Sequence, residues 1–272
     1  MENRDLKVKY RPGKFSEIVG NQILKKKLKG MIVDKKIPRA VLIVGLPGTG
    51  KTTAAALLRR SLLCKNRAPE DIEPCGECES CKYPHHEFDF DCTSMTAESL
   101  SYFMESLWYP GEGPFHLNIK VLDEFHCCHP KVQNQFLKKL EERDHIFLIF
   151  CALDVEKFSK PFLQRVQVFY TYPPTVEELI DWLRGICLKE NFTFETEALE
   201  LIAQASDQLP RDCLNLLGDT SYSGQYISLA SVEETLKFEK RLPMEKDLND
   251  SLEENNTIAP YVRLKGEIHN HR

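Results

Sequence analysis

The chain has 272 residues, 42% hydrophobic and 28% charged, with a formal net charge of -5. That length can bury a sizeable core, enough for an α/β domain with a smaller attachment, and it does not suit a disordered or fibrous chain. No apolar run approaches the roughly 18 residues that cross a bilayer, and Met1-Glu2-Asn3-Arg4-Asp5 lacks the order of a signal peptide, so the expected location is cytoplasmic.

In chain order, the first feature is charge. Residues 1–60 hold fifteen Lys and Arg against four acidic residues, in a chain that is acidic overall. Such an imbalance points to a phosphate-rich partner or a strongly acidic protein surface. Lys25-Lys26-Lys27 occupies successive helical positions that cannot all point one way, so part of this charge is a solvated face. Asn21 reads as the cap of a helix reaching about Asp34, and Ala40 to Val44 as a buried strand.

After that strand comes Gly45-Leu46-Pro47-Gly48-Thr49-Gly50-Lys51-Thr52, followed by Thr53 and an Ala- and Leu-rich segment to Leu63. This is a Walker A loop in its required strand-loop-helix setting. The glycines let backbone N–H groups turn toward a β-phosphate, Lys51 can reach the β and γ oxygens, and Thr52 can offer its hydroxyl to Mg²⁺. The helix N-terminus at Lys51 adds partial positive charge. A nucleoside triphosphate is the expected ligand.

Cys75, Cys78 and Cys81 follow at a spacing of three, with Cys64 upstream as a fourth thiol. Four thiolates around Zn²⁺ suit a small closed structural site, with Pro74 and Gly76 making the turns. The spacing also resembles the start of an iron–sulfur pattern, but the fourth cysteine lies upstream and Pro84 follows Tyr83 instead of a cysteine. The expected zinc excursion runs from Cys64 to about Tyr83. Phe88 to Cys92 reads as a short strand, Thr96 or Ser99 as the start of a helix to about Leu107, and Pro110 to Pro114 as a loop.

Asn118 to Glu124 reads as a strand delivering two carboxylates at its C-terminal end, where ligands of parallel sheets collect. Asp123 would hold Mg²⁺ through water, and Glu124 would polarise the water that attacks the γ-phosphate. Cys127 and Cys128, between His126 and His129, could be a second metal group but read more simply as a helix start with one thiol buried. Cys92, Cys151, Cys187 and Cys213 sit among apolar residues and read as core thiols. Pro130 to Glu142 is a helix with Val132, Phe136, Leu137 and Leu140 inward, Ile146 to Ala152 an apolar strand, and Gln167 to Tyr170 a short final one. Strands and helices alternating around such a loop give a mostly parallel sheet covered on both faces.

Beyond Pro173-Pro174 the pattern becomes wholly helical: Thr175 to Cys187, Thr196 to Ala205, Pro210 to about Leu217 and Leu229 to about Phe238. The expected domains are a nucleotide-binding domain over 1–173, a helical lid over 174–240 and a polar tail over 241–272. Arg165, before the last strand, and Arg211, opening a lid helix, are the arginines best placed to meet a γ-phosphate; an arginine at the domain edge can act across a subunit interface, and either could equally be a surface arginine.

Lys9-Tyr10-Arg11-Pro12 through Val19-Gly20-Asn21, the Walker A loop, the four cysteines, Asp123-Glu124-Phe125-His126, Lys138 to Glu142 and Leu209 to Leu214 together resemble the gamma/tau subunit of the bacterial DNA polymerase III clamp loader. The resemblance runs from about residue 5 to 235. It implies an AAA+ sheet with an inserted zinc module and a helical lid, in an ATP-driven subunit that places a sliding clamp on primer-template DNA. It further implies Tyr10, Arg11, Pro12, Val19 and Gly20 beside the adenine, Arg165 as a trans finger, Arg211 as second sensor, and backbone-directed DNA contacts.

Three departures stand out. Family members carry Ser-Arg-Cys at the finger, where this chain has Gln164-Arg165-Val166. The strand that ordinarily ends in a polar first sensor reads Phe150-Cys151-Ala152-Leu153-Asp154. The sequence also stops where a collar domain would begin, so the expectation is a divergent, collarless relative. Two other roles fit these departures: an oligomeric DNA-associated switch that recruits an effector in mobile-element, defence or recombination work, or a catalytically weak structural loader subunit.

Overall fold

Ala40–Val44 and Ile146–Ala152 are unbroken apolar runs, and every residue of both is buried. Strands of that kind need cover on both faces, which a parallel sheet flanked by helices supplies. The computed structural model describes residues 5–82, 89–142, 144–222 and 224–239, without the side chains of Leu137 and Glu239. In it, β1 (Ala40–Val44), β2 (Phe90–Asp91), β3 (Asn118–Asp123), β4 (Ile146–Ala152) and β5 (Gln167–Tyr170) form a parallel sheet in the order β2-β3-β4-β1-β5.

The register brings the strand ends into line. Val44 lies opposite both Ala152 and Tyr170, and Asp123 opposite Asp91, so the strands end together at one edge of the sheet. Gly45, Glu124, Leu153 and Thr171 are therefore the first residues past that edge.

The helices of this part are α1 (Leu6–Lys9), α2 (Gln22–Val33), α3 (Lys51–Leu63), α4 (Glu79–Lys82), α5 (Ala97–Ser106), α6 (Pro130–Glu142) and α7 (Lys160–Leu163). Strand side chains alternate between two cores, as a period of two requires. Val41, Ile43, Val121 and Ile149 meet Leu28, Ile32, Leu57 and Leu58 of α2 and α3. Leu42, Leu122, Leu148 and Phe150 meet Phe103 and Phe136 of α5 and α6, together with Phe125 and Phe162. Thr96 opens α5 with a reciprocal cap to Ser99, a pairing that satisfies otherwise orphaned amides.

Asn21 stands before α2 as expected, yet its side chain caps nothing there. It accepts from Tyr172 N at 2.9 Å and donates to Tyr172 O at 3.1 Å, pinning the exit of β5 to the entry of α2. The expected strand over Phe88 to Cys92 is seen as Phe90–Asp91, with Cys92 already in a tight turn. Phe88 itself lies outside the described residues, as do Tyr83 and the polar segment 241–272.

Past Pro173 and Pro174 come α8 (Val176–Lys189), α9 (Thr196–Ala205), α10 (Pro210–Ser221) and α11 (Leu229–Glu239). This lid is not wholly helical. A parallel pair, β6 (Thr193–Phe194) and β7 (Tyr226–Ile227), ties the start of α9 to the start of α11. Leu6 of α1 is buried in the lid core beside Leu179, Leu217 and Ile227, so the chain begins its described course inside the lid before entering the sheet. Among the described residues, no helix is long and apolar enough to cross a membrane.

Candidate functional site

The turn after β1 is built from glycines because its backbone demands them. Gly48 and Gly50 take φ of 81° and 93°, a region that costs side-chain-bearing residues energy. Gly45 is needed for a different reason: a Cβ there would lie 2.1 Å from Thr171 Oγ1, so this glycine lets the exit of β5 pass close by. Thr49 Oγ1 and Thr171 Oγ1 share a buried hydrogen bond of 2.7 Å, which locks the two segments together.

At the sheet edge, Thr52 donates from Oγ1 to Asp123 Oδ2 at 2.8 Å, and Glu124 N donates to Asp123 Oδ1 at 3.0 Å. Lys51 Nζ folds back to Leu46 O at 3.1 Å. Glu124 adopts a left-handed conformation with φ 49°, which turns the chain sharply as it leaves β3. Phe125 then anchors the next turn, Phe125–Cys127, by stacking on Phe150 with ring centroids 4.2 Å apart.

Above this edge the lid closes a cavity of about 470 Å³. Tyr10, Arg11, Pro12, Val19, Pro47, Gly48, Thr49, Gly50, Lys51, Thr52, Thr53, Asp123, Glu124 and Arg211 all line it. Of the other residues singled out in sequence, Gly20 and Gly45 do not line the cavity, and Arg165 lies apart from it. Arg165 is exposed, with its guanidinium 3.1 Å from Glu141 Oε1 of α6. Sequence reasoning did not find Lys7, Val8, Trp182 or Leu214, which also line the cavity. Trp182 sits one helical turn from Leu179, and that spacing reads as ordinary core.

The electrostatics of the cavity favour an anion. Burial lowers Lys51 from its ordinary value, opposed by the charges of Glu124 and Asp123. Burial, reinforced by Arg211 and Arg60, likewise lowers Arg11. Cations held close together and partly out of water are stabilised when a polyanion arrives among them. Thr52 and Asp123, with oxygens already in contact, suit a hard divalent cation such as Mg²⁺.

Tyr10 reaches the cavity from an unexpected direction. Its hydroxyl hydrogen-bonds to Glu190 at the end of α8, and Lys9 Nζ lies 2.8 Å from the same carboxylate. Burial and the Glu190 bond push the Tyr10 phenol up.

The four cysteines converge. The sulfurs of Cys64, Cys75, Cys78 and Cys81 all lie within 4.8 Å of one another, and they are the group among the described residues able to hold a metal. Cys75 and Cys81 are 3.9 Å apart, as are Cys64 and Cys78. Four sulfurs at about 2.3 Å from a tetrahedral zinc would be about 3.8 Å apart, so the donor set fits that ion. The amides of Cys78 and Glu77 donate to Cys75 Sγ and hold this thiol below its ordinary value. Cys64 ends α3, so the site braces the helix whose other end carries the phosphate-type loop. Cys128 is buried and Cys127 exposed, while Cys92, Cys151, Cys187 and Cys213 are buried thiols.

Comparison with known proteins bears on this arrangement. Residues 20–173 match the family described as "DNA polymerase III, delta subunit". DNA polymerase III subunit gamma of Buchnera aphidicola subsp. Baizongia pistaciae is 32% identical over 216 residues, covering 76% of this chain and 57% of that protein. Subunit tau of Bacillus subtilis is 30% identical over 227 residues, covering 81% of this chain and 40% of that one. Subunit tau of Escherichia coli is 29% identical, covering 79% and 34%. The chain thus spans between about a third and three fifths of these relatives. Among solved structures, the Thermotoga maritima RuvB Holliday junction branch migration motor superposes with a TM-score of 0.62 at 19% identity, covering 84% of this chain and 72% of that one, a likeness of fold.

Proposed function

Because the chain belongs to the DNA polymerase III clamp-loader family of AAA+ proteins, as a divergent relative of gamma/tau, we propose that it binds ATP with Mg²⁺ in the cavity under the lid and hydrolyses it while acting on DNA. The observation that carries this reading is the meeting of Thr52, Asp123, Glu124, Lys51, Arg11 and Arg211 around one cavity.

Lys51 leaves Leu46 O to take the β and γ oxygens, and the inward amides of Gly48 to Thr52 hold the β-phosphate. Thr52 and Asp123 would hold Mg²⁺, which would supply charge neutralisation. Glu124 orients the attacking water. Arg211, opening α10, couples the phosphates to the lid, and Arg165, kept outside this cavity by its place after α7, serves a neighbouring subunit's nucleotide. Tyr10, Arg11, Pro12 and Val19 form the base and ribose end. The four cysteines would hold structural Zn²⁺. Some of the other basic residues of the N-terminal domain track duplex phosphates, and the partners are other loader subunits and a sliding clamp.

Steady-state ATP hydrolysis by the zinc-loaded protein, with and without primed DNA and with Lys51→Ala as the blank, tests this. Turnover that rises with primed DNA supports a DNA-coupled motor, and rates no higher than the blank even with primed DNA present sink it. A second reading has its own observation: β4 ends in Ala152 and Leu153 follows it, and neither offers a polar side chain at the sheet edge. On that reading the chain is a switch that assembles on ATP and recruits an effector, and nucleotide would change its oligomeric state without turnover.

A further inference from the structure

The turn after β3 places a histidine between the two structural features that water activation depends on. His126 Nδ1 lies 3.4 Å from Glu124 Oε2 and 3.3 Å from Leu153 N, the first amide past β4. Its ring is largely shielded, with 16% of the side chain exposed, whereas Glu124 is more open at 38%. The turn that carries both is not free to drift. Phe125, between them in sequence, is fully buried and packs on Phe136, Phe150, Phe158 and Phe162.

The end of β4 lacks a polar side chain that could do this work. Ala152 is buried, and the Asp154 carboxylate is occupied by the amide of Glu156 in its own turn. What β4 does present is the backbone N–H of Leu153, and the group that meets it is His126.

We propose that His126 is the positioning residue of Glu124, joining the carboxylate to the end of β4 in place of a polar side chain on that strand. This rests on the ATPase reading above and deepens it. One ring nitrogen serves two neighbours, and it can serve them only in turn. Nδ1 stands within reach of both, 3.3 Å from Leu153 N and 3.4 Å from Glu124 Oε2, so the ring sets the spacing between the carboxylate and the end of β4. The ring thereby limits where Glu124 can point while leaving Asp123 to Thr52.

The test compares His126→Asn, whose amide reaches the Nδ1 position with both a donor and an acceptor, with His126→Phe, which keeps the ring and loses the hydrogen bonds. The Phe variant should lower kcat roughly 10- to 100-fold, as loss of an orienting partner does, with KM for ATP little changed and with Asn restoring most of the rate. A second readout needs no turnover: in nucleotide-free protein the ¹⁵N resonance of His126 Nδ1 should move on Glu124→Gln. Equal losses in Asn and Phe, an unchanged kcat in Phe, or a resonance that ignores Glu124→Gln would each overturn the inference. A resonance that moves in a chain with no Lys51-dependent turnover supports the His126–Glu124 link and overturns the hydrolysis reading instead.

Discussion

At Gly45 a methyl group would sit 2.1 Å from Thr171 Oγ1 and 2.6 Å from Thr171 O, contacts that neither partner can relieve without moving the end of β5. Gly45→Ala should therefore cost about 1–3 kcal/mol in urea denaturation, the usual penalty of overpacking, and a melt unchanged from the parent would show that the loop yields instead. Lys51 argues in the opposite direction. Its ammonium is lowered by burial, so its presence in the ligand-free protein is an expense of function. Lys51→Met should leave the ligand-free thermal midpoint equal or higher while abolishing the stabilisation that ATP and Mg²⁺ give. A nucleotide-induced shift as large as the parent's would remove Lys51 from the site. Lys51 and Thr52 were legible because a strand-loop-helix turn fixes their places locally, and Asp123 because it ends an apolar strand on the same edge of the sheet. The demand on Gly45 was not, since it comes from a residue over a hundred positions away, and neither was Trp182, which resembles any other core residue of an amphipathic helix.

Helices α1 and α3 carry the next predictions. Cys64 ends α3, and Ser61 near that end donates to Ile72 O at 2.6 Å, so the segment leading to the other three cysteines folds back against the same helix. Chelation, or Cys78→Ser, should release one equivalent of zinc and lower the thermal midpoint by several degrees, with a weaker effect on nucleotide affinity because the loop is at the opposite end of a helix about 20 Å long. An unchanged midpoint after complete metal loss would make the module dispensable to the fold. Helix α1 is held through Lys9 and Tyr10 to Glu190, whose carboxylate is lowered: burial opposes the shift, and the bonds from Lys9 and Tyr10 outweigh it. A depressed acid contributes stability above its unfolded-state value near 4.5 and loses it as pH falls through the folded value. Glu190→Gln should therefore flatten the acid side of the stability curve, and a curve that keeps the parent's slope there would deny the carboxylate this part. The cysteine module was legible because metal spacing is a local pattern. Helix α1 was not, because four residues show no period and its buried member, Leu6, finds its partners in the lid.

Across the molecule, the alternation of apolar strands and amphipathic helices was enough to specify a parallel sheet with helices on both faces and a helical lid, since each of those signals lies within one element. The β6–β7 pair escaped because two-residue strands joined across the lid leave no run to recognise. Arg165 belongs to this scale too. It is exposed, paired to Glu141 at the surface, and away from its own chain's cavity. Arg165→Ala should leave ATP affinity of the single chain intact while lowering turnover in assemblies, and mixing it with Lys51→Ala subunits, which keep Arg165, should restore part of that turnover; an identical loss at every protein concentration with no recovery on mixing would place Arg165 in cis. The position of Leu6 has a consequence for the order of events on the ribosome. The first described segment emerges before any of the lid, yet its apolar side chain packs into a core built mostly from residues synthesised after the sheet, so the nascent segment waits for its partners through the making of the whole sheet. Premature burial of Leu6 elsewhere, or its capture by a chaperone, then becomes a decision point between a chain that completes its nucleotide cavity and one that never closes its lid.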